Sequence, residues 1–552
     1  MKERGAPVTA RDERTAMSGG GIVVVFVGVL LTMLMGALDQ TVVTTAAWPI
    51  VRDLDPAGGL DGMSWIVVSY MLASTATQPI YGKLADLLGA KKVYVTAVVL
   101  FLVGSALCGA AQNMGELIAF RALQGVGAGG LYSVALVVIG LMTTPQQRAK
   151  FQGVGGAVIG LSTVVGPLIG GYFTESHDIL GITTNWRWLF YVNLPLGALA
   201  LGVVVLLLRI PVRRTNQQID FIGAALIVAA ACSVLLVTEW GGDTYAWSSP
   251  TIITMSVAAV LLSVAFVRRQ RRAADPLIPL RLFKDRTVAL SIPILFLVGF
   301  ALIGSIVHVS MYLQVVYGYT PTQAGSRMLP MTVGFMISAI GSGIIVSKFG
   351  RYKAFPILGS VFSAGGLALL GTMDPDTSVT LLCTYIFLIG LGVGLLMQLM
   401  VLVVQNAVPR TDLGVATTTS TFFRTLGQSF GAALFGAILS ARLNSTTGGA
   451  HLGNLGALPE ASRHTYLVQY TDAATDVFLI AGAIMLIAAV LGLFLREMNL
   501  EELEDDPVVD EGQAGGQPAG PAAAPDAGSV PASAELPAQT GRPAVGTGPD
   551  SR

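Results

Sequence analysis

Asp39 and Arg121 are charged residues inside apolar segments of this sequence, where their side chains could bind ions or protons. Asp39 falls within the first apolar segment, just before Gln40 and Thr41, and Arg121 falls early in the fourth. An ionised side chain in hydrocarbon costs several kcal/mol, so such residues usually face a cavity and belong to an ion or proton path. We predict that Asp39 takes up and releases protons, with Arg121 at a similar depth as its counterpart. The alternatives are a carboxylate that only bonds neighbouring Thr and Gln side chains, and an arginine that extends outward to water or pairs locally.

The composition indicates the environment of these charges. Hydrophobic residues make up 53% of the 552 residues and charged residues only 12%, whereas a soluble domain carries about 25% charge. With a mean hydropathy of +0.68, the chain is predicted to be a membrane protein and not a soluble enzyme. The formal net charge of zero argues against nucleic-acid binding. The sequence contains no P-loop and no zinc-ligand pattern, so we expect no enzymatic activity, no cofactor and no metal.

Apolar segments suited to crossing a bilayer recur along the chain. A transmembrane helix needs about 20 mostly apolar residues to cross about 30 Å of hydrocarbon. Fourteen such segments can be recognised, near 21–47, 64–81, 93–111, 116–142, 153–173, 188–208, 219–240, 250–267, 287–316, 328–347, 355–371, 378–404, 414–440 and 474–495. The first has no cleavage site for a signal peptidase, so we expect it to remain as a span.

The placement of Lys and Arg favours an even number of spans with both termini in the cytoplasm. If the N-terminus is cytoplasmic, most of the 33 Lys and Arg residues fall on the cytoplasmic side, as the positive-inside rule requires. The outer loops then contain only Arg52, Arg187, Arg327, Arg442 and Arg463. Adding or removing one span would destroy this alternation. The predicted location is therefore the cytoplasmic membrane, crossed many times.

A short segment rich in glycine and cations occurs twice at corresponding positions. Residues 82–92 follow the second span and residues 347–353 follow the tenth, and both are predicted to be short cytoplasmic turns. The match predicts an all-α, polytopic membrane fold with 14 transmembrane helices arranged as 6 + 2 + 6. Internal repeats are common in transporters, where the substrate site lies at the repeat interface near the midplane.

These boundaries divide the chain into five regions. They are a cytoplasmic tail at 1–20, an N-terminal six-helix half at 21–209, two linker helices at 210–268, a C-terminal six-helix half at 269–496 and a cytoplasmic tail at 497–552. The last tail is acidic and then rich in Pro, Ala and Gly, so we expect disorder, with a regulatory role as the alternative. The long polar outer loop at 441–473 is predicted to be either a spacer or a gate.

The fifth span contains glycines at regular spacing. Gly156 and Gly160 are four residues apart, as are Gly166 and Gly170, and Pro167 lies beside the second pair. Small residues at this spacing let another helix approach closely, and proline bends a helix and frees a carbonyl. We predict a closely packed helix that can pivot.

Further polar residues in the spans are candidates for binding a ligand. They are Gln40, Gln124, His308, Gln314 and Gln398. Ordinary packing is the alternative for each, and for His308 the two interpretations are evenly balanced. Arg424, in the thirteenth span, is a further intramembrane charge.

Five segments resemble signatures of the major facilitator superfamily and, more narrowly, of its fourteen-span drug:proton antiporters. They occur in the expected order at 38–49, 82–92, 121–130, 156–171 and 185–197, and the resemblance extends over about 21–496. It implies a pump that is driven by the proton-motive force and alternates between inward-facing and outward-facing states.

The resemblance also implies roles for individual residues. Asp39 would be the protonation and cation-facing site, assisted by Arg121 in proton transfer. Gly166 and Pro167 would support the conformational change of an antiporter.

The loop signature includes Gly82, Asp86, Gly89 and Lys91, and by the resemblance Asp86 would cap a helix of the other half. The sequence departs from this signature at Leu87 and Ala90, where cations are usual, and the second copy lacks a matching Asp. We therefore expect a weaker charge network.

Three functions are compatible with these features. The main hypothesis is efflux of amphipathic toxic compounds, cationic or neutral, in exchange for protons. An exporter of an endogenous lipid, siderophore or secondary metabolite would have the same fold, and a non-transporting membrane sensor is the third candidate. The expected partners are a small amphipathic substrate, protons and the lipid bilayer, and the protein is expected to be a monomer.

Overall fold

The computed structural model describes residues 19–55, 61–174, 178–179, 182–210, 218–242, 244–447, 460–498 and 500. The chain divides into the units Met1–Asp505 and Asp506–Arg552. The second unit lies outside the described residues, as does nearly all of both predicted tails.

The described residues are almost entirely helical. The first helices are α1 (Gly19–Leu54), α2 (Asp61–Leu88), α3 (Ala90–Ala110), α4 (Met114–Met142), α5 (Pro145–Thr174), α6 (Trp188–Tyr191), α7 (Asn193–Leu207), α8 (Phe221–Trp240) and α9 (Pro250–Arg272). They are followed by α10 (Arg286–Val315), α11 (Pro321–Arg327), α12 (Leu329–Phe349), α13 (Ala354–Leu370), α14 (Val379–Asn406), α15 (Leu413–Thr447) and α16 (Glu460–Leu493). A two-residue antiparallel pair, β1 (Asp178–Ile179) with β2 (Ile182–Thr183), connects α5 and α6.

Most of these helices have the length and hydropathy of membrane spans. Within the described residues, 11 helices are long and apolar enough to cross a membrane, and α13 is a shorter apolar helix. The remaining long helices, α2 and α5, have 28 and 30 residues, which at about 1.5 Å per residue exceeds 30 Å of hydrocarbon. Helices satisfy every backbone polar group internally, which a bilayer demands. The predicted all-helical membrane fold is confirmed, and the number of 14 crossings stays a prediction.

The helices before α8 and those after α9 pack in the same pattern. In the first group α1 packs on α5 and α7, α2 packs on α4, and α3 packs on α4 and α7. In the second group α10 packs on α15 and α16, α12 packs on α14, and α13 packs on α14 and α16. Corresponding helices thus have corresponding neighbours. The two groups meet where α2 contacts α15 and α5 contacts α12, and α8 packs on α2, α9 and α15.

The two glycine- and cation-rich segments end helices in the same way. Residues 82–88 form the last turns of α2, so the turn predicted over 82–92 is much shorter, and Gly89 breaks the helix with φ of 90°. In the second copy α12 ends at Phe349 and Gly350 has φ of 67°. Glycine adopts such left-handed conformations without steric cost. Ala and Leu in the first copy are strong helix formers, which extends α2.

The predicted outer loop at 441–473 is largely wrong. Helix α15 continues to Thr447 and α16 begins at Glu460, so only residues 448–459 lie outside described structure. Hydropathy falls at the membrane boundary, but helical hydrogen bonds do not require an apolar environment. An ion pair of 2.9 Å joins Arg442, near the end of α15, to Asp476 of α16.

Candidate functional site

The residues around Asp39 are positioned by α1, α4 and α7. Helix α4 begins at a cap in which Asn113 accepts a hydrogen bond of 2.9 Å from the Glu116 N–H. The same Glu116 carboxylate accepts from the Gln112 N–H at 2.9 Å. This start fixes the first turns of α4, which carry Arg121 and Gln124 toward α1.

A buried ion pair forms the centre of the candidate site. Arg121 Nη1 lies 2.5 Å from Asp39 Oδ2, and the two side chains are 1% and 0% exposed. The second carboxylate oxygen accepts hydrogen bonds from Gln124 Nε2 at 2.7 Å and from Asn193 Nδ2 at 3.1 Å. The carboxylate is therefore held by three donors from α4 and α7, as a buried charge requires.

Arg121 connects this pair to α2. Its Nε donates to the Ile66 carbonyl at 3.2 Å, and its Nη1 also donates to Gln124 Oε1 at 2.9 Å. The guanidinium carbon lies 4.2 Å from the centre of the Tyr70 ring, within the range of a cation–π interaction. One ion pair and the contacts of its arginine thus join α1, α2 and α4.

Asn193 is the participant that the sequence did not single out. It donates to Asp39 and also to Ser105 Oγ at 3.1 Å, and Ser105 Oγ donates to the Phe190 carbonyl at 2.9 Å. Asn193 lies at the first position of α7, directly after the break that follows α6. An amide inside the apolar segment 188–208 was the available signal.

The other ligand candidates do not join this cluster. Gln40 is exposed, and Gln314 donates to the carbonyl of Ser310 in its own helix at 3.2 Å. His308 is buried with its ring edge-on to Phe435. The structure therefore brings Gln124 to Asp39 and leaves Gln40, Gln314 and His308 elsewhere.

The loop signature links α2 to α15. The Asp86 carboxylate accepts hydrogen bonds from the backbone N–H groups of Gly414 at 2.8 Å and Val415 at 2.9 Å, in the first turn of α15. A Cβ on Gly82 would collide with the Thr418 side chain, so only glycine permits this approach. An aspartate at a helix N-terminus also interacts favourably with the helix dipole. Asp86 therefore fastens the two helix groups at this end.

Lys91, in the same signature, makes a contact within the first helix group. Its Nζ donates to the Val205 carbonyl at 2.8 Å, near the end of α7. Cations stabilise the carbonyl end of a helix. Lys91 therefore ties the start of α3 to α7.

The glycines of α5 face α1 on one side. A Cβ on Gly166 would collide with the Thr41 hydroxyl, and one on Gly170 would lie 3.0 Å from Thr45 Cβ. Thr41 Oγ1 donates to the Ser162 carbonyl at 3.2 Å. Thr41 and Thr45 follow Asp39 on α1 by about 0.6 and about 1.7 turns, so α5 packs directly beside the helix that carries the ion pair.

The other pair of α5 glycines faces the second helix group. A Cβ on Gly156 would lie 2.8 Å from Gln398 Cγ on α14, and one on Gly160 would lie 2.9 Å from the Phe335 ring on α12. Pro167 lies within α5. Small residues thus allow α5 to contact both helix groups closely.

Polar contacts also join the groups at the end of α14. Gln152 Nε2 donates to Gln405 Oε1 at 2.6 Å, and Arg148 Nη1 donates to Asn406 Oδ1 at 2.8 Å. Gln405 Nε2 in turn donates to the Leu136 carbonyl at 3.1 Å. With those of Asp86, these bonds join the two helix groups between the end of α14 and the start of α15.

Among the described residues, no group of three or more His, Cys, Asp or Glu side chains could hold a metal ion. The site is built from one ion pair and amide side chains.

The structure is that of a polytopic, helical membrane protein with a buried ion pair. Residues 25–432 match the family model described as Major Facilitator Superfamily. The chain belongs to this superfamily, and it is therefore a transporter and not an enzyme.

Relatives with similar sequences are themselves described as transporters. The chain is 38% identical over 520 residues to an uncharacterized MFS-type transporter of Mycobacterium tuberculosis, covering 91% of this chain and 74% of the relative. It is 40% identical over 415 residues to the multidrug transporter protein MdtP of Bacillus subtilis, covering 75% of each chain. The solved proton:xylose symporter XylE has the same fold, with a TM-score of 0.60 at 15% identity, covering 88% of this chain and 99% of that chain.

Proposed function

We propose that this protein exports amphipathic compounds in exchange for protons, across a cytoplasmic membrane in which both termini face the cytoplasm. The observation that carries the proposal is the fully buried Asp39–Arg121 ion pair. A titratable carboxylate held inside a membrane bundle is typical of proton-coupled transport. The multidrug name of MdtP, at 40% identity, supports a cargo of amphipathic compounds.

The coupling follows from the balance of charge in the pair. A proton on Asp39 removes the negative charge that Arg121 compensates, and a buried guanidinium without a counterion is costly. An arrangement of α1, α2 and α4 in which water reaches Arg121 then has the lower free energy. Proton binding therefore favours one arrangement of the helices and proton release favours the other, which is what alternating access needs.

The repeated packing supports the proposed architecture. We assign 14 crossings to α1–α5, α7, α8–α10 and α12–α16, with six-helix halves at about 21–209 and 269–496. The helices α8 and α9, which occupy most of the predicted linker at 210–268, stand outside the repeated packing pattern. The substrate path then lies between the halves, near the midplane.

Two features of the interface between the halves suit movement. The glycines of α5 bring it close to both halves, and we assign to α5 the role of the pivoting helix. Asp86 caps α15 across the interface, and we assign to it the role of a latch that must release when the halves separate at this end.

Loss of the Asp86 cap should expose the contact between α2 and α15. An N-terminal cap and its dipole interaction together contribute about 1–2 kcal/mol, so Asp86→Ala should shift the equilibrium severalfold toward separated halves. The readout is the rate at which a Thr418→Cys variant, with the three native cysteines replaced by Ala, reacts with a hydrophilic maleimide. Thr418 is fully buried in this contact.

A matched control removes a cap that lies within one half. Asp285 accepts hydrogen bonds from the N–H groups of Thr287 and Val288 at the start of α10. Asp285→Ala should therefore leave the labelling rate at Thr418→Cys unchanged. An equal increase in both variants would show general loosening and would contradict the latch.

The proposed function is tested by transport into proteoliposomes. The purified full chain is reconstituted, a pH gradient is imposed, and accumulation of the cationic dye ethidium and the anionic dye fluorescein is followed. We expect a gradient-dependent flux of at least one dye that stops when nigericin collapses the gradient. A flux of both dyes that is the same with and without the gradient would rule out proton exchange.

A further inference from the structure

A further buried charge, Arg424, lies at the interface between the two helix groups. Arg424 of α15 is 7% exposed, and its Nη1 lies 3.5 Å from the Tyr132 hydroxyl of α4. Its guanidinium carbon lies 5.0 Å from the centre of the Tyr132 ring. Gln398 of α14, which is 1% exposed, donates to the same hydroxyl at 3.1 Å. We call these three residues the Arg424 cluster.

The Arg424 cluster has unused hydrogen-bonding capacity. Within the described part of the chain no carboxylate lies within ion-pair distance of Arg424, and its buried Nε has no hydrogen-bond partner. The Oε1 of Gln398 is also buried without a partner. A bond of 3.5 Å is at the limit of a hydrogen bond. The positive charge is therefore compensated mainly by the face of one aromatic ring.

Arg121 differs from Arg424 in having several hydrogen-bond acceptors around its guanidinium. It has a carboxylate at 2.5 Å, a backbone carbonyl and an amide oxygen as acceptors. A buried charge without such partners costs several kcal/mol. The difference indicates that Arg424 acquires its acceptor from a molecule that enters the interface.

The depth of the cluster agrees with a ligand site. At about 1.5 Å per residue, Arg424 lies about 16 Å from the start of α15, and Tyr132 lies about 15 Å from the end of α4. These distances are half of a hydrocarbon core of about 30 Å. The cluster also combines side chains from both helix groups, so an occupant would contact both.

We propose that Arg424, with Tyr132 and Gln398, binds the anionic group of the transported compound, so that the cargo includes amphipathic carboxylates. The unpaired Nε and the neighbouring amino group of a guanidinium form a fork that matches a carboxylate. Gln398 Oε1 accepts a hydrogen bond from a hydroxyl or amine of the same molecule. This inference rests on the proposed export function and specifies its substrate class.

The expectation of cationic or neutral cargo depended on Asp39 as an open anionic site. In the structure that carboxylate is occupied by Arg121, Gln124 and Asn193. The buried charge that is left for a ligand is positive. The proposed cargo therefore has the opposite sign from the one that the sequence favoured.

The test compares two dyes that share a xanthene ring system and differ in charge. Binding of anionic fluorescein and cationic rhodamine 123 to the purified full chain is measured by fluorescence anisotropy. We expect Arg424→Gln to weaken fluorescein binding by at least about tenfold, which is the effect of losing one charge-assisted interaction. Binding of rhodamine 123 should change less than about twofold. Arg442→Gln, on the exposed end of the same helix, is the matched control and should change neither.

A second variant keeps Arg424 in place. Gln398→Glu has nearly the same shape and puts a carboxylate beside the Tyr132 hydroxyl, where it can compete for the guanidinium. We expect this variant also to lose fluorescein binding. If Arg424→Gln elutes as an aggregate from a sizing column, Gln398→Glu provides the test in its place.

Three results would overturn the inference: no fluorescein binding by the wild-type protein, equal loss of both dyes in Arg424→Gln, or unchanged fluorescein binding in the two variants. Equal loss would assign Arg424 to packing or to an ion pair in another conformation. Binding requires no gradient, so fluorescein binding that depends on Arg424 supports the site even if proteoliposomes show no proton-dependent flux. A proton-dependent flux with no role for Arg424 supports the proposed function alone.

Discussion

Asp39→Asn is expected to abolish transport driven by a pH gradient, reducing the initial flux at least about tenfold, because the amide cannot take up a proton at any physiological pH. The substitution preserves the shape of the side chain and the acceptor that faces Arg121. It places an NH₂ group against Gln124 Nε2 and Asn193 Nδ2, which both donate to the carboxylate in the wild type. A mismatched buried donor costs about 1–3 kcal/mol, so the thermal midpoint in detergent should fall modestly.

Two measurements separate loss of coupling from loss of folding. The first is the flux in proteoliposomes that contain equal amounts of monodisperse protein. The second is the same flux for Asp53→Asn, which makes the same chemical change on the same helix. Asp53 is 51% exposed in its pair with Arg187, so this control should retain most of the flux. Full gradient-driven transport by Asp39→Asn would remove Asp39 from the coupling mechanism.

The membrane explains why the positions of the helices could be predicted. A span must be apolar and about 20 residues long, and each segment recognised in the sequence falls mainly on a helix of the structure. The same reasoning fails outside the hydrocarbon, where hydropathy no longer follows helicity. This is why α15 and α16 extend into the predicted loop at 441–473. The repeat was visible in the glycines that end α2 and α12, because only glycine readily adopts positive φ there.

The sequence predicts how deep the site residues lie in the membrane, but not toward which neighbour each helix turns them. Sequence position places Asp39 and Arg121 at similar depth, since each residue adds about 1.5 Å along a helix. Contact also depends on the angle of each helix about its axis, which follows from packing between glycines and neighbouring backbones. The backbone carbonyl of Ile66, as an acceptor for Arg121, has no sequence signal at all. The hydrogen bonds of the Tyr132 hydroxyl with Arg424 and Gln398 likewise have no sequence signal and required the three-dimensional structure.

Removing Arg121 alone is expected to cost far more stability than removing the whole ion pair. Arg121→Met leaves the buried Asp39 carboxylate without its counterion, and breaking a buried pair in this way costs about 3–5 kcal/mol. In the double variant Asp39→Asn/Arg121→Met neither charge remains buried, so most of that loss in the free energy of unfolding should be recovered. The measurement is the denaturation midpoint of the single and double variants in one detergent.

In the double variant, stability should recover but transport should not. This difference would show that the pair serves proton coupling and not only folding. The double variant lacks the titratable group, so its flux under a pH gradient should remain as low as that of Asp39→Asn. The Asp53–Arg187 pair, in which the side chains are 51% and 24% exposed, is the control, because pairs that water reaches contribute only about 0–1 kcal/mol. Its double variant should change the midpoint little. If the Asp39 and Arg121 effects on stability simply added, the two side chains would act independently, and the charge balance on which the proposed coupling depends would be absent.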